Sequence, residues 1–172
     1  RRLEITCGGA PYLVSRYDVS TGELIVPPLR RIGILDRKLR VVNENTDTYE
    51  EWLKWTIRAF EASYGYEYQG DNVLIARINL LLTFTDYYEE RWERKPDSKL
   101  LLQMANKIAW NIWQMDGLKG TVPLGKPYEE FKQMTLFETD SITDEDETEA
   151  VPCRISDWRS KTSLKFMDLK ER

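Results

Sequence analysis

The sequence predicts an α/β fold, a parallel sheet flanked by helices, and three observations predict it. Short strand-like runs recur at Leu3–Thr6, Tyr66–Tyr68 and Asn111–Met115. Longer stretches of helical character lie between them. Each short run ends on turn or helix-start residues: Cys7-Gly8-Gly9, Gly70-Asp71 and Asp116-Gly117. Strands separated by helices pair in parallel, because a parallel neighbour needs a long crossover connection.

The elements follow in order. Leu3–Thr6 reads as a short buried strand, residues 7–11 as a turn and Tyr12–Arg16 as a short helical segment. Residues 18–31 form a turn-rich excursion containing Thr21-Gly22 and Pro27-Pro28. Leu35–Glu44 reads as a basic amphipathic helix. Asp47 is placed to cap a second helix, with Glu50 and Glu51 completing the start signal. That helix runs through Trp52, Trp55, Ile57 and Phe60 to about Ser63, and Gly65 is read as its end. Asp71 is expected to cap a third helix from Val73 to Phe84, apolar nearly all round and therefore expected to be buried. Asp97 or Ser98 starts a fourth, over Leu100–Ile108. The organisation expected is a subdomain over 1–120 with a helical insertion at about 18–63, an acidic linker at 121–150, and a hairpin-like segment at 151–172. Seven carboxylates between Glu138 and Glu149 mark the linker. Two alternating runs around Arg159-Ser160 mark the hairpin.

Composition narrows the chemistry. Hydrophobic residues are 41% of the 172, enough for a core. The net charge of -4 makes the segment by itself a poor binder of nucleic acid. Without histidine, Ser/His/Asp and Cys/His catalysis are excluded and the commonest metal ligand is missing, so no metal site is expected. Cys7 and Cys153 show no metal-type spacing and read as reduced thiols of a cytoplasmic protein. No apolar run has membrane length, so no membrane partner is expected. The chain opens directly in a core-like strand, which reads as a piece cut from a longer protein; a sheet cut there has an open edge and invites self-association. Arg30, Arg31, Arg37, Lys38 and Arg40 form a basic cluster, read as a solvated helix face or a phosphate track. Tyr49, Trp52 and Trp55 read as core and staple residues.

Ligands of parallel sheets sit beyond the carboxyl ends of the strands. Three segments are expected there: Cys7–Ala10, Glu67–Asp71 and Asp116–Gly117. Small residues after the first strand let a ligand approach the backbone, although a plain tight turn uses the same residues. An acid ending the second strand, Glu67, can accept from a ribose diol; a surface glutamate is the plain alternative. Asp116 can accept from an adenine amine; its plain alternative is a turn-forming Asp-Gly. Arg77 and Asn79 are read as structural.

These motifs together carry a resemblance. Glu4-Ile5-Thr6-Cys7-Gly8-Gly9-Ala10-Pro11-Tyr12-Leu13 resembles the Asp-Pro-Ala-Cys-Gly-Ser-Gly-Gly-Phe-Leu of amino-methyltransferases, with Ile5 in place of the proline and Ala10 in place of the second glycine. Residues 65–81 resemble that family's Gly-x-Glu-hydrophobic strand end followed by Ala-Arg-x-Asn-Leu-Leu, here Ala76-Arg77-Ile78-Asn79-Leu80-Leu81. Asp116-Gly117-Leu118 matches its Asp-x-Leu. With Trp113-Gln114-Met115 before it and Asp157-Trp158-Arg159-Ser160-Lys161 later, the whole chain resembles large N6-adenine-specific DNA methyltransferases of restriction-modification systems.

The resemblance implies a partial Rossmann-like methyltransferase fold and S-adenosyl-L-methionine as cofactor. It implies that the loop from Thr6 through Cys7, Gly8 and Gly9 to Ala10 wraps the methionine end. Glu67 and Tyr68 would lie at the ribose, and Asp116 and Gly117 at the adenine. The family's catalytic Asn-Pro-Pro-Tyr is absent: the one Pro-Pro is Pro27-Pro28, preceded by Val26. The segment is therefore expected to hold cofactor and no catalytic residue, and to meet DNA through other parts of a parent enzyme. Two rival readings stay open: a non-catalytic interaction module on a similar scaffold, and an amino-methyltransferase acting on protein or RNA.

Overall fold

The computed structural model describes residues 2–123 and 151–169, and these divide into two compact units, Arg1–Trp113 and Gln114–Arg172. The linker expected at 121–150 lies, from residue 124 onward, outside the described residues. Among the described residues no helix is long and apolar enough to cross a membrane.

The first unit is mixed α/β. Strands β1 (Arg2–Glu4), β2 (Ser63–Glu67) and β3 (Ile112–Gln114) form a parallel sheet in the order β1-β2-β3. Leu3 pairs with Tyr64 and Glu4 with Gly65, so β1 stops two residues short of the end of β2; as an edge strand with Leu3 exposed, it is not the buried strand expected. β2 is central and buried along its whole length. The four helices are α1 (Ile34–Asn45), α2 (Tyr49–Glu61), α3 (Gly70–Trp92) and α4 (Ser98–Asn111). The insertion expected at 18–63 carries α1 and α2.

Each helix follows from its sequence, with some differences in detail. α1 buries Leu35 and Leu39, four residues apart, together with Asp36. α2 buries Trp52, Thr56, Ala59 and Phe60, one stripe at helical spacing. Its cap is Thr48, whose side chain accepts from the Glu51 N–H; Asp47 stands one residue too early. Asp97 caps α4, accepting from Leu100 N–H at 2.8 Å. Trp52 is the aromatic centre of the unit, with Phe84, Tyr88 and Trp92 of α3 around it at ring distances of 5.8–6.5 Å. Trp55 is not a core residue: it is exposed, with the Arg58 guanidinium 5.3 Å from its ring.

α3 corrects the expectation of all-round burial. It begins after Gln69 rather than on an Asp71 cap and runs on to Trp92. One face is buried, from Val73 and Ala76 to Leu80, Phe84, Tyr87 and Tyr88. The opposite face exposes Leu74, Ile75, Ile78 and Leu82 by 40–58%. Two more local readings change. Gly65 does not end α2 but lies inside β2, where a Cβ would stand 3.1 Å from Cys7 Cβ and 3.2 Å from Ile112 Cδ1. Its missing side chain is what lets the post-β1 turn pack on the sheet.

Tyr12–Arg16 is not helical, because its backbone groups have tertiary partners. Leu13 N–H donates to the Glu4 carboxylate at 3.2 Å and Ser15 N–H to Asp36 at 2.8 Å. The Tyr12 and Leu13 carbonyls accept from Ile34 and Leu35 N–H, both at 2.8 Å. These two bonds dock the start of α1 on the segment, and Gly33 makes the approach possible: a Cβ there would lie 2.4 Å from the Leu13 carbonyl oxygen.

The basic cluster proves to be spent largely inside the unit. Arg31 is buried and paired with Asp86, Arg40 donates to the Arg31 carbonyl, and Lys38 donates to Ala62 O and Ser63 Oγ. Arg30 and Arg37 stay exposed.

In the second unit, β4 (Arg154–Asp157) and β5 (Thr162–Lys165) form the antiparallel hairpin that the alternating pattern predicts. Buried Thr121 bridges to both Asp116 and Pro152. Cys153 N–H donates to Gly120 O at 3.0 Å. Met115, Cys153, Ile155 and Phe166 supply its buried apolar side chains.

Candidate functional site

Beyond Glu4 the chain leaves the sheet in a tight turn. Ile5 is exposed, and Thr6 (φ 49°), Gly8 (φ 51°) and Ala10 (φ 62°) all take left-handed backbone. The turn is fixed at several points. Cys7 N–H donates to Tyr66 O at 2.8 Å, carrying the β1–β2 ladder one step further. Ala10 N–H donates to Cys7 O at 2.7 Å, and Asn79 Nδ2 donates to Gly9 O at 2.9 Å. Cys7 and Ala10 are buried, whereas Thr6 is exposed with its hydroxyl on its own neighbour's carbonyl. Asn79 thus has the structural role expected of it, as does Arg77, which donates to the carbonyls of Ile112 and Ala109.

Glu67, the last residue of β2, meets this turn. Gly8 N–H donates to its Oε2 at 2.8 Å. Its Oε1 accepts from Tyr68 N–H at 2.9 Å and Gln69 N–H at 3.2 Å, at the entry to α3. Glu67 is only 8% exposed, so a buried carboxylate draws the ends of two parallel strands and the start of a helix together. A carboxylate offers about four lone-pair sites, and three are engaged here. A Cβ placed on Gly8 would meet nothing within 4 Å, so the turn presents open space on that side. Tyr68 is partly exposed beside it.

Sequence reasoning named Glu4 only as a motif match, but it shapes the turn. Its carboxylate takes the backbone N–H groups of Tyr12 and Leu13, which hold the chain after Ala10. Burial pushes this carboxyl up from 4.5 to about 7, against the pull of those hydrogen bonds. Burial, with the Glu4 and Glu67 charges, pushes the Cys7 thiol up to about 12, so Cys7 is an inert packing group.

Asp116 and Gly117 belong to the second unit. Asp116 Oδ1 accepts from Leu118 and Lys119 N–H at 3.0 and 3.2 Å, while its own N–H donates to Thr121 O. This is an Asx-type turn, the plain reading of Asp-Gly. Half-buried Gly117 lies within it, and Leu118 is 93% exposed at its tip.

Of the sequence-predicted residues, the first unit therefore brings together Cys7, Gly8, Gly9, Ala10, Glu67 and Tyr68. The arrangement offers a buried carboxylate acceptor, Glu67, beside a turn that is open at Gly8. Compared with family models, curated proteins and solved structures, the chain matches none.

Proposed function

We propose that the chain is the S-adenosyl-L-methionine-binding part of a DNA adenine-N6 methyltransferase of the restriction-modification type, on a Rossmann-like sheet. The observation that carries the reading is the hydrogen bond from Gly8 to Glu67, which unites the glycine turn and the second-strand acid at neighbouring strand ends. The fit to the cofactor is chemical. Glu67 Oε2 has accepting capacity left for a ribose hydroxyl, and the glycine turn leaves backbone accessible to the methionine end. S-adenosylmethionine supplies an electrophilic methyl group. The residues of the first unit bind and orient it: Glu67 with Tyr68 at the ribose and Thr6 to Ala10 at the methionine. The sequence contains no Asn-Pro-Pro-Tyr, so polarising the target amine and holding DNA fall to other parts of a parent enzyme.

Calorimetric titration of the chain with S-adenosylmethionine tests this. The reading expects binding that Glu67→Ala weakens roughly ten- to a hundredfold, the loss of one charged acceptor being about 1.5–3 kcal/mol. Absence of binding by a folded chain would instead favour the interaction-module reading, for which the exposed Leu74, Ile75, Ile78 and Leu82 face of α3 is the supporting observation.

A further inference from the structure

A cleft of about 740 Å³ opens in the first unit between the segment after the glycine turn and the start of α1. One wall is apolar and partly aromatic. Tyr12 is 74% exposed and Val19 98%, with Tyr17 and Ile32 beside them. Exposed aromatic and branched side chains lining one concavity are unusual on a protein surface without a ligand to cover them. The backbone that holds them is rigid: Tyr12 is bonded through its carbonyl to α1, and Ser15 Oγ accepts from Ile32 and Gly33 N–H.

The same cleft is electropositive. Arg37 lines it, exposed, and its guanidinium has no hydrogen-bond or ion-pair partner among the described residues. Arg16 also lines it and is 5% exposed, with its Nε buried and unpartnered. Its Nη1 shares one oxygen of Asp86 with Arg31, so two buried guanidiniums divide a single carboxylate. Burial raises the pKa of nearby Asp36, which weakens its compensation. Only Asp18 opposes this from the lining, and its carboxylate is engaged with Ser20 and Thr21 N–H.

We propose that this cleft binds a planar aromatic ligand carrying one anionic group, a carboxylate or a phosphate ester. The ring stacks against Tyr12 and Tyr17 and is flanked by Val19 and Ile32. The anion sits on Arg37, with the Arg16 cluster behind it. The site does not depend on the methyltransferase reading, although Gly9 lies at its border.

Amide NMR titration of the whole chain tests it, with 2-naphthoate, its neutral amide, adenosine monophosphate and inorganic phosphate as probes. The first and third probes separate an aromatic acid from a nucleotide as the source of the anion. The proposal expects at least one of these two anionic aromatics to bind, with shifts concentrated at residues 9–19 and 32–37. The amide and phosphate alone should bind at least roughly tenfold more weakly. Arg37→Ala, an exposed position at which folding is not at stake, should weaken the anionic aromatic about tenfold or more while leaving S-adenosylmethionine binding unchanged. Competition by S-adenosylmethionine would assign the signal to the Glu67 site and overturn the proposal. So would equal affinity for the neutral amide, binding unchanged in Arg37→Ala, or no binding of either anionic aromatic.

Discussion

Gly8 and Glu67 stand 59 residues apart in sequence and are joined by a 2.8 Å hydrogen bond from the backbone of one to the carboxylate of the other. Three backbone N–H groups converge on that buried side chain, and truncating it leaves all three short of an acceptor. Glu67→Ala should therefore destabilise the chain by about 1–3 kcal/mol in urea denaturation, with Glu67→Gln retaining part of the loss. A Glu67→Ala chain as stable as the parent would show that the carboxylate does not organise the turn.

Glycine substitutions separate close approach from backbone strain. Gly33→Ala places a carbon 2.4 Å from the Leu13 carbonyl oxygen, a backbone atom that cannot swing away. The docking of Ile34 and Leu35 N–H on Tyr12 and Leu13 should be lost with it, for a cost above about 2 kcal/mol. Gly8→Ala meets open space and costs only the left-handed conformation at φ +51°, about 1 kcal/mol. Denaturation midpoints of the two variants should fall in that order.

The sequence patterns reveal the fold more fully than the site. Strand–helix alternation, the Asp97 cap and the α2 stripe are local signals, and they lead to the observed elements. The Glu67 position at a strand end is legible for the same reason, since it depends only on where β2 stops. What local patterning hides is tertiary competition. Tyr12–Arg16 looks helical until Glu4 and Asp36 take its N–H groups from 9 and 21 residues away. Arg31 and Lys38 look solvated until Asp86 and the end of α2 claim them. The apolar run in α3 looks buried, yet one side of it faces outward.

The buried thiols give a kinetic test. Burial pushes Cys7 up to about 12 and Cys153 up to about 11, so at pH 8 neither carries appreciable thiolate. Iodoacetamide labelling should be slow in buffer and should accelerate in urea as each unit opens. Mass-spectrometric mapping distinguishes the two sites. Rapid labelling of Cys7 in the folded chain would contradict its placement beneath the turn.

Glu4 makes stability depend on pH. Its folded-state pKa of about 7 lies above its ordinary 4.5, so the folded chain holds a proton that the unfolded chain releases. Stability from this group is fully present below pH 4.5 and is lost as pH rises through 7. Asp36, also raised by burial, acts with the same sign. Glu4→Gln should flatten this part of the profile, read as the difference between parent and variant in denaturation midpoint from pH 4.5 to 7.5. A parallel profile for the two chains would show that Glu4 titrates normally.

The central claim is that the glycine turn and Glu67 form one cofactor site. The most direct measurement is amide NMR mapping of the chain on titration with S-adenosylhomocysteine, which keeps both ends of the cofactor and cannot transfer a methyl group. The account predicts saturable shifts at Cys7, Gly8, Gly9, Ala10, Tyr68 and Gln69, with the affinity weakened roughly ten- to a hundredfold in Glu67→Ala. Saturable binding whose shifts lie elsewhere and survive that substitution, or no binding at millimolar ligand, would contradict it.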